Sequence, residues 1–266
     1  MLPAYLTRFN QALSHFQQKL PVDNWTSEFK SKLINDYSFY SSKVEDPKLE
    51  YGDTIRFLDD QLVKKEKLGS LLDVSNHKDV LQSVLNRYET FELTEDTIKA
   101  IHRDLMSSEL SWGDQFKPEL IGNYRNIPTI GFREPFFPNK EYVSHYNIEF
   151  AMPSYLELMA RKFDAINNEE YDSHLLTALA YFHNRFLNEI HPFADGNGRV
   201  CRIIMGTIMM KHNCPPVFSS ILTANDMMDY IKIIIACEDA NSDEPFAAYL
   251  ANGMAAYMEE KLKISE

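Results

Sequence analysis

Between Pro3 and Leu20 apolar side chains return at steps of three and four residues: Tyr5, Leu6, Phe9, Leu13 and Phe16. That spacing places them on one side of an α-helix. From Ser27 the pattern repeats with Phe29, Leu33, Ile34 and Tyr37, and Thr26 or Ser27 stands ready to cap it. Pro47 and Gly52 then interrupt the period. Two more helical stretches follow, over 54–72 and 76–91. Thr94 opens another, with Glu95 and Asp96 in its first turn and Ile98, Ile101 and Leu105 facing inward.

Past residue 116 the character changes. Short alternation around Tyr124 to Ile130, and again near Tyr142, predicts a small hairpin or extended flap, and Pro128 limits its first strand to an edge. Helical spacing returns over 153–163, where Pro153 suits a first turn. The stretch 172–190 is the most apolar of all. Leu175, Leu179, Phe182, Phe186 and Ile190 form its stripe, and Leu176, Ala178 and Ala180 widen it. A helix apolar around most of its girth belongs at the centre. Helices over 199–213, stopped by Pro215 and Pro216, then 225–241 and 245–264, complete the chain. The sum is roughly nine helices and one hairpin, an all-α fold with a β flap ahead of the central helix.

Composition adds bounds. The chain has 266 residues, 44% of them hydrophobic and 25% charged, enough for one large domain or one domain with a helical extension. A net charge of -12 argues against gripping nucleic acid or an anionic membrane, while leaving room for a small basic pocket. Cys201, Cys214 and Cys237 are odd in number and widely spaced, so neither a zinc pattern nor a disulfide framework is expected. A reducing, cytoplasmic setting fits, since no secretory signal or membrane span stands out.

The chemistry concentrates in His191 to Arg202, between the two most apolar helices. Gly196 and Gly198 strip side chains from the loop just before a helix starts, and bare amides at a helix start bind anions. Asn197 can add an amide donor. Arg199 and Arg202, three apart, suit a polyphosphate better than a single carboxylate. Asp195 is an acid through which Mg2+ could bridge phosphates. His191 can take a proton from an attacking hydroxyl. Each part alone has a plainer reading as a turn or a solvated face; the combination in one loop is the signal.

These residues, His191-Pro192-Phe193-Ala194-Asp195-Gly196-Asn197-Gly198-Arg199-Val200-Cys201-Arg202, match without departure the signature of the Fic family, which the chain resembles over about Leu93 to Ala251. The resemblance implies a Fic-type helical bundle, with an N-terminal helical region over 1–90 and a catalytic domain over 91–266. It implies transfer of AMP from ATP to a Ser, Thr or Tyr hydroxyl of a target protein, which can include the enzyme itself; a homo-oligomer is left open. By the same resemblance His191 is the general base and Asp195 holds Mg2+. Gly196, Asn197 and Gly198 hold phosphates, with Asn197 near the α-phosphate. Arg199 and Arg202 contact the outer phosphates, and Phe193 packs into the core. Ile127, Pro128, Thr129 and Ile130 look like the target-positioning flap, with Ile127 and Ile130 as packing points. Tyr230 is placed either against the adenine or in the core. Gly198 argues against the phosphate-transferring branch, which carries Lys there.

A shorter likeness lies upstream. Ser41-Ser42-Lys43-Val44-Glu45 resembles the family's inhibitory segment, Ser or Thr, three residues, Glu, although Asp46 departs from the usual Gly or Asn and leaves the helix ending open. Glu45 paired with Arg202 would take the guanidinium that the γ-phosphate needs. The competing readings are removal of AMP by a Glu-directed water, and an idle nucleotide-binding scaffold.

Overall fold

A computed structural model describes residues 1–46, 48–107, 117–133, 137–217 and 227–264, with backbone only at 130–133, 137–139, 227–229 and 264. Ten α-helices and one two-stranded sheet make up the described fold. The N-terminal helices are α1 (Ala4–Lys19), α2 (Ser27–Glu45), α3 (Tyr51–Leu58), α4 (Leu68–Leu85) and α5 (Glu95–Leu105). The hairpin β1 (Ile130–Arg133) and β2 (Phe137–Glu141) comes next. Then follow α6 (Ile148–Asp164), α7 (Leu175–Asn184), α8 (Asn197–Lys211), α9 (Met227–Ala240) and α10 (Glu244–Ile264).

The architecture is a helical bundle around α7 and α8. Every residue of α8 from Arg199 to Met210 is buried, and in α7 Leu175, Leu179 and Phe182 are fully so. Each such leucine or phenylalanine contributes about 1.5–3 kcal/mol by leaving water. One hydrophobic cluster runs from Leu6 on α1 to Leu262 on α10, and α1 packs along α10. Across the central pair, α2 and α4 pack on each other and on α8. The end of α2 is thereby carried to the first turns of α8. No helix among the described residues is long and apolar enough to cross a membrane.

Several boundaries differ from the sequence reading. The expected helix 54–72 breaks: α3 stops at Leu58 and Asp60 takes a left-handed φ of 56°. Helix α4 instead runs straight through the expected gap, because Leu71, Val74, His77, Leu81 and Val84 keep one buried stripe across it. Helix α6 begins at Ile148, so Pro153 lies inside it rather than in its first turn. Pro153 and Glu149 are both exposed, so the carbonyl that loses its partner faces solvent. The hairpin also sits later than expected. Ile130 pairs with Glu141 and Gly131 with Lys140, with a bulge between Gly131 and Arg133, which leaves Pro128 outside the ladder.

Candidate active site

The expected helix 172–190 changes its winding before it ends. After α7, residues Arg185–Ile190 form a π-helical turn, and the His191 N–H reaches the Phe186 carbonyl five residues back. The wider turn rotates the chain, and His191 follows it in a left-handed conformation, φ 50° and ψ 64°. Its Nδ1 lies 2.9 Å from the Leu187 carbonyl oxygen. A carbonyl only accepts, so Nδ1 carries the proton and Nε2 is the basic nitrogen. The Tyr142 ring stacks on the imidazole at 4.2 Å and 18°. Behind the loop, the Arg125 guanidinium donates to the His191 carbonyl at 2.7 Å.

Gly196 caps α8 with φ 75°, and a Cβ there would lie 2.8 Å from the Met106 sulfur. Backbone and packing both require glycine at this point. The first-turn amides of α8 have no side-chain cap from Gly196 and sit at the positive end of the helix dipole. Asp195 stands exposed at the edge, its Oδ1 accepting the Gly196 N–H at 2.6 Å and its Oδ2 3.7 Å from Arg199.

The Asn197 side chain is turned into the loop. Its side-chain oxygen accepts the Phe193 N–H and its amide nitrogen donates to the Phe193 carbonyl, both at 2.8 Å. At 3% exposure the side chain is a bracket inside the loop, so any anion contact from Asn197 comes from its backbone. Phe193 is fully buried, as expected, and stacks on His102 at 3.9 Å and 3°. His102 accepts the Gly122 N–H at Nδ1, so its Nε2–H donates to the Asp195 carbonyl at 3.1 Å. A histidine of α5 thus ties the loop to the approach to the flap.

Arg202 is 1% exposed, and α2 takes up its guanidinium. Nε donates to Ser41 Oγ at 2.7 Å, while Nη2 donates to the Ser41 carbonyl at 3.0 Å and to Glu45 Oε1 at 2.6 Å. The Glu45 carboxylate lies over the α8 cradle. A Cβ on Gly198 would come within 2.5 Å of its Oε1. Burial pushes the Glu45 pKa up, but Arg202, with Arg199 and His191 behind it, outweighs burial and holds the carboxyl below its ordinary range. The pair is therefore complete above the ordinary carboxylate value, about 4.3, and is lost only as pH falls through the lower folded value. Asp46 ends α2 with its N–H on the Ser42 carbonyl, and its carboxylate accepts from the Lys48 N–H and the Ser70 hydroxyl. That closes the helix where the family pattern has Gly or Asn.

His191, Arg199 and Arg202 all act on the Glu45 carboxylate, Gly198 lies directly beneath it, and Asp195 adjoins Arg199. Tyr230 takes the core alternative: it is 6% exposed, bonds to His183 through its hydroxyl, and packs edge-on against His183 and Phe246. Ile127 is 42% exposed. Thr129 is half-buried and Pro128 exposed; the Ile130 side chain lies outside the described residues. The sequence reading missed Arg125, Tyr142 and His102. Of these, His102 had a signal, a polar residue beside the inward stripe of α5.

Burial pushes His102 and His174 down to about 4, so both are neutral when folded. Unfolded histidine titrates near ~6.5, so the unfolded chain binds more protons below that value. Stability is full above it and declines as pH falls toward the folded values. Urea unfolding at several pH values should show this decline, with a shallower slope in His102→Gln.

Comparison with known proteins agrees with this geometry. Residues 92–209 match the model of the Fic/DOC family. The protein adenylyltransferase Fic of Drosophila persimilis is 30% identical over 105 residues, which cover 34% of this chain and 20% of that protein. The Drosophila melanogaster protein of the same name is also 30% identical over 105 residues, covering 34% and 21%. The chain therefore spans about a fifth of the length of the curated relatives it matches. A Fic domain containing signaling protein from Bacteroides thetaiotaomicron superposes with a TM-score of 0.76 at 18% identity, covering 96% of this chain and 95% of that one. Fic-1 from C. elegans, residues 134–508, gives 0.73 at 19%, covering 98% and 73%. The motif loop, held between two buried helices, lies inside the segment 92–209 that matches the Fic/DOC family.

Proposed function

We propose that the chain is a protein adenylyltransferase that moves AMP from ATP to a Ser, Thr or Tyr hydroxyl of a target protein, held in check by Glu45. The observation that carries this reading is a histidine of fixed tautomer beside a helix-start anion cradle in one loop. The name of the Drosophila relatives supports the choice of AMP.

In this reading the first turn of α8 and Arg199 hold the phosphates, and Arg202 takes the outermost one once Glu45 releases it. The target hydroxyl lies between the flap and His191. Nε2 removes its proton as the oxygen bonds to the α-phosphorus, and the bond from that phosphorus to the bridging oxygen breaks to release pyrophosphate. Among the described residues no three His, Cys, Asp or Glu side chains gather as a metal site. Asp195, a single exposed carboxylate oriented by the Gly196 N–H, would hold a magnesium ion, which needs only one or two protein carboxylates. Such an ion supplies charge neutralisation on the triphosphate.

The N-terminal helices over 1–90 are then the regulatory part, acting through the end of α2 on the catalytic part over 91–266. One observation favours a second activity, removal of AMP. The Glu45 side chain is 46% exposed and within the field of His191, where it could orient a water.

Purified Glu45→Gly protein, incubated with lysate, magnesium and ATP, should leave an AMP adduct on a Ser, Thr or Tyr, read by mass spectrometry. Adducts of another group, or none, would contradict the reading. Incubating the wild type with the modified target tests the reverse activity.

A further inference from the structure

Arg125 lies between α5 and the hairpin and is 2% exposed. Its side chain reaches four backbone carbonyls. Nε donates to His191 at 2.7 Å, Nη1 to Ile127 at 3.2 Å, and Nη2 to Val143 at 2.5 Å and to Ile190 at 3.2 Å. Its own backbone N–H donates to the Pro192 carbonyl at 2.9 Å. Three consecutive carbonyls of the catalytic loop, 190 to 192, thus end on one residue. So do the two legs of the hairpin, through Ile127 ahead of β1 and Val143 just past β2. The Val143 N–H returns to the loop at the Glu189 carbonyl, 2.8 Å away.

The acceptors of the Arg125 guanidinium are these four carbonyls, and burial lowers its pKa. Burying a guanidinium against carbonyls alone is costly, so its placement needs a compensating role. The same bonds act on a residue under strain. His191 is not glycine, yet it holds a left-handed backbone, which persists only where surrounding contacts over-determine it. The Nε bond to the His191 carbonyl is such a contact. Tyr142, adjacent to the riveted Val143, lays its ring on the imidazole.

We propose that Arg125 is a positioning residue for the transfer reaction. It fixes His191 in its left-handed conformation and sets both legs of the flap in register with it. A hydroxyl presented by the flap then arrives at Nε2. The proposal rests on the transferase reading above, and its test separates the two.

In the Glu45→Gly background, Arg125→Lys keeps the charge but replaces a planar fork by one nitrogen that cannot span four carbonyls. The expected result is a fall in kcat on the order of 30-fold, from displacement of the base by a fraction of an ångström. The KM for ATP should stay within about threefold, because the cradle at 196–202 is untouched. A second readout needs no turnover. In nitrogen-15 spectra the His191 ring signals, identified by their loss in His191→Ala, should lose their fixed Nδ1–H pattern in Arg125→Lys. Arg125→Gln removes the buried charge and serves where the lysine variant does not fold. Unchanged kcat in a folded variant of an active parent overturns the proposal, and so do unchanged His191 ring signals. An inactive parent refutes the transferase reading instead, and the ring signals then decide the role of Arg125 alone.

Discussion

His191→Ala, placed in the Glu45→Gly background, should lower the proposed AMP transfer about a thousand-fold, within the range that a positioned general base contributes. The geometry explains the size. The Leu187 carbonyl fixes the proton on Nδ1 at 2.9 Å, and the Tyr142 ring covers one face of the imidazole. Nε2 is therefore already basic and aimed before a target arrives. Alanine removes that nitrogen and leaves the cradle, so ATP affinity should change by less than about threefold. Steady-state kinetics with the target, and calorimetric titration with ATP, measure the two quantities separately. A loss of ATP affinity with an unchanged rate of turnover would assign His191 to binding rather than to proton transfer.

The second large effect has the opposite sign. Glu45→Gly in the wild-type chain should raise AMP transfer on the order of 100-fold. A hydrogen bond to a charged group is worth about 1.5–3 kcal/mol, and about 1.4 kcal/mol is tenfold. In the proposed reading ATP would displace this bond before its outer phosphate reached Arg202. The carboxylate also fills space over Gly198, where its Oε1 would be 2.5 Å from an added Cβ. Removing Glu45 thus frees both a guanidinium and the room beside it. Glu45→Gln separates the parts, since it keeps the bulk and discards the charge; an intermediate rate is expected. Acid does not release the restraint near neutral pH, because Arg202 holds the carboxyl below its ordinary range. The ratio of Glu45→Gly to wild-type rates should accordingly stay flat from about pH 6 to 8.

The loop was legible in the sequence because its parts are contiguous. A histidine, an acid, two glycines and two arginines within twelve positions leave few arrangements once helices stand on both sides. The Glu45–Arg202 contact was legible for a different reason: Ser41 to Glu45 resembles the Fic family's inhibitory segment, and α2 delivers both residues to one guanidinium. What stayed hidden depends on long-range partners. Arg125 lies 66 positions from His191 and His102 lies 93 from Asp195, and each meets a backbone carbonyl. Carbonyls carry no sequence signal. The inward turn of the Asn197 side chain was hidden because a sequence cannot say which way an amide turns, and the loop takes both ends of it. The π-helical turn before His191 is likewise invisible to hydrophobic spacing, since Phe186 and Ile190 stay buried through it. The break after α3 and the continuity of α4 were decided by which residues met the core, not by local preference.

The central claim is that the group transferred comes from the α-phosphorus of ATP. Two parallel incubations of Glu45→Gly protein with a target test it most directly, one with ATP labelled at the α-phosphorus and one with ATP labelled at the γ-phosphorus. The account predicts protein-bound label from the first and none from the second, lost in both when His191 is alanine. Label from the γ-phosphorus, or label that survives His191→Ala, would contradict it.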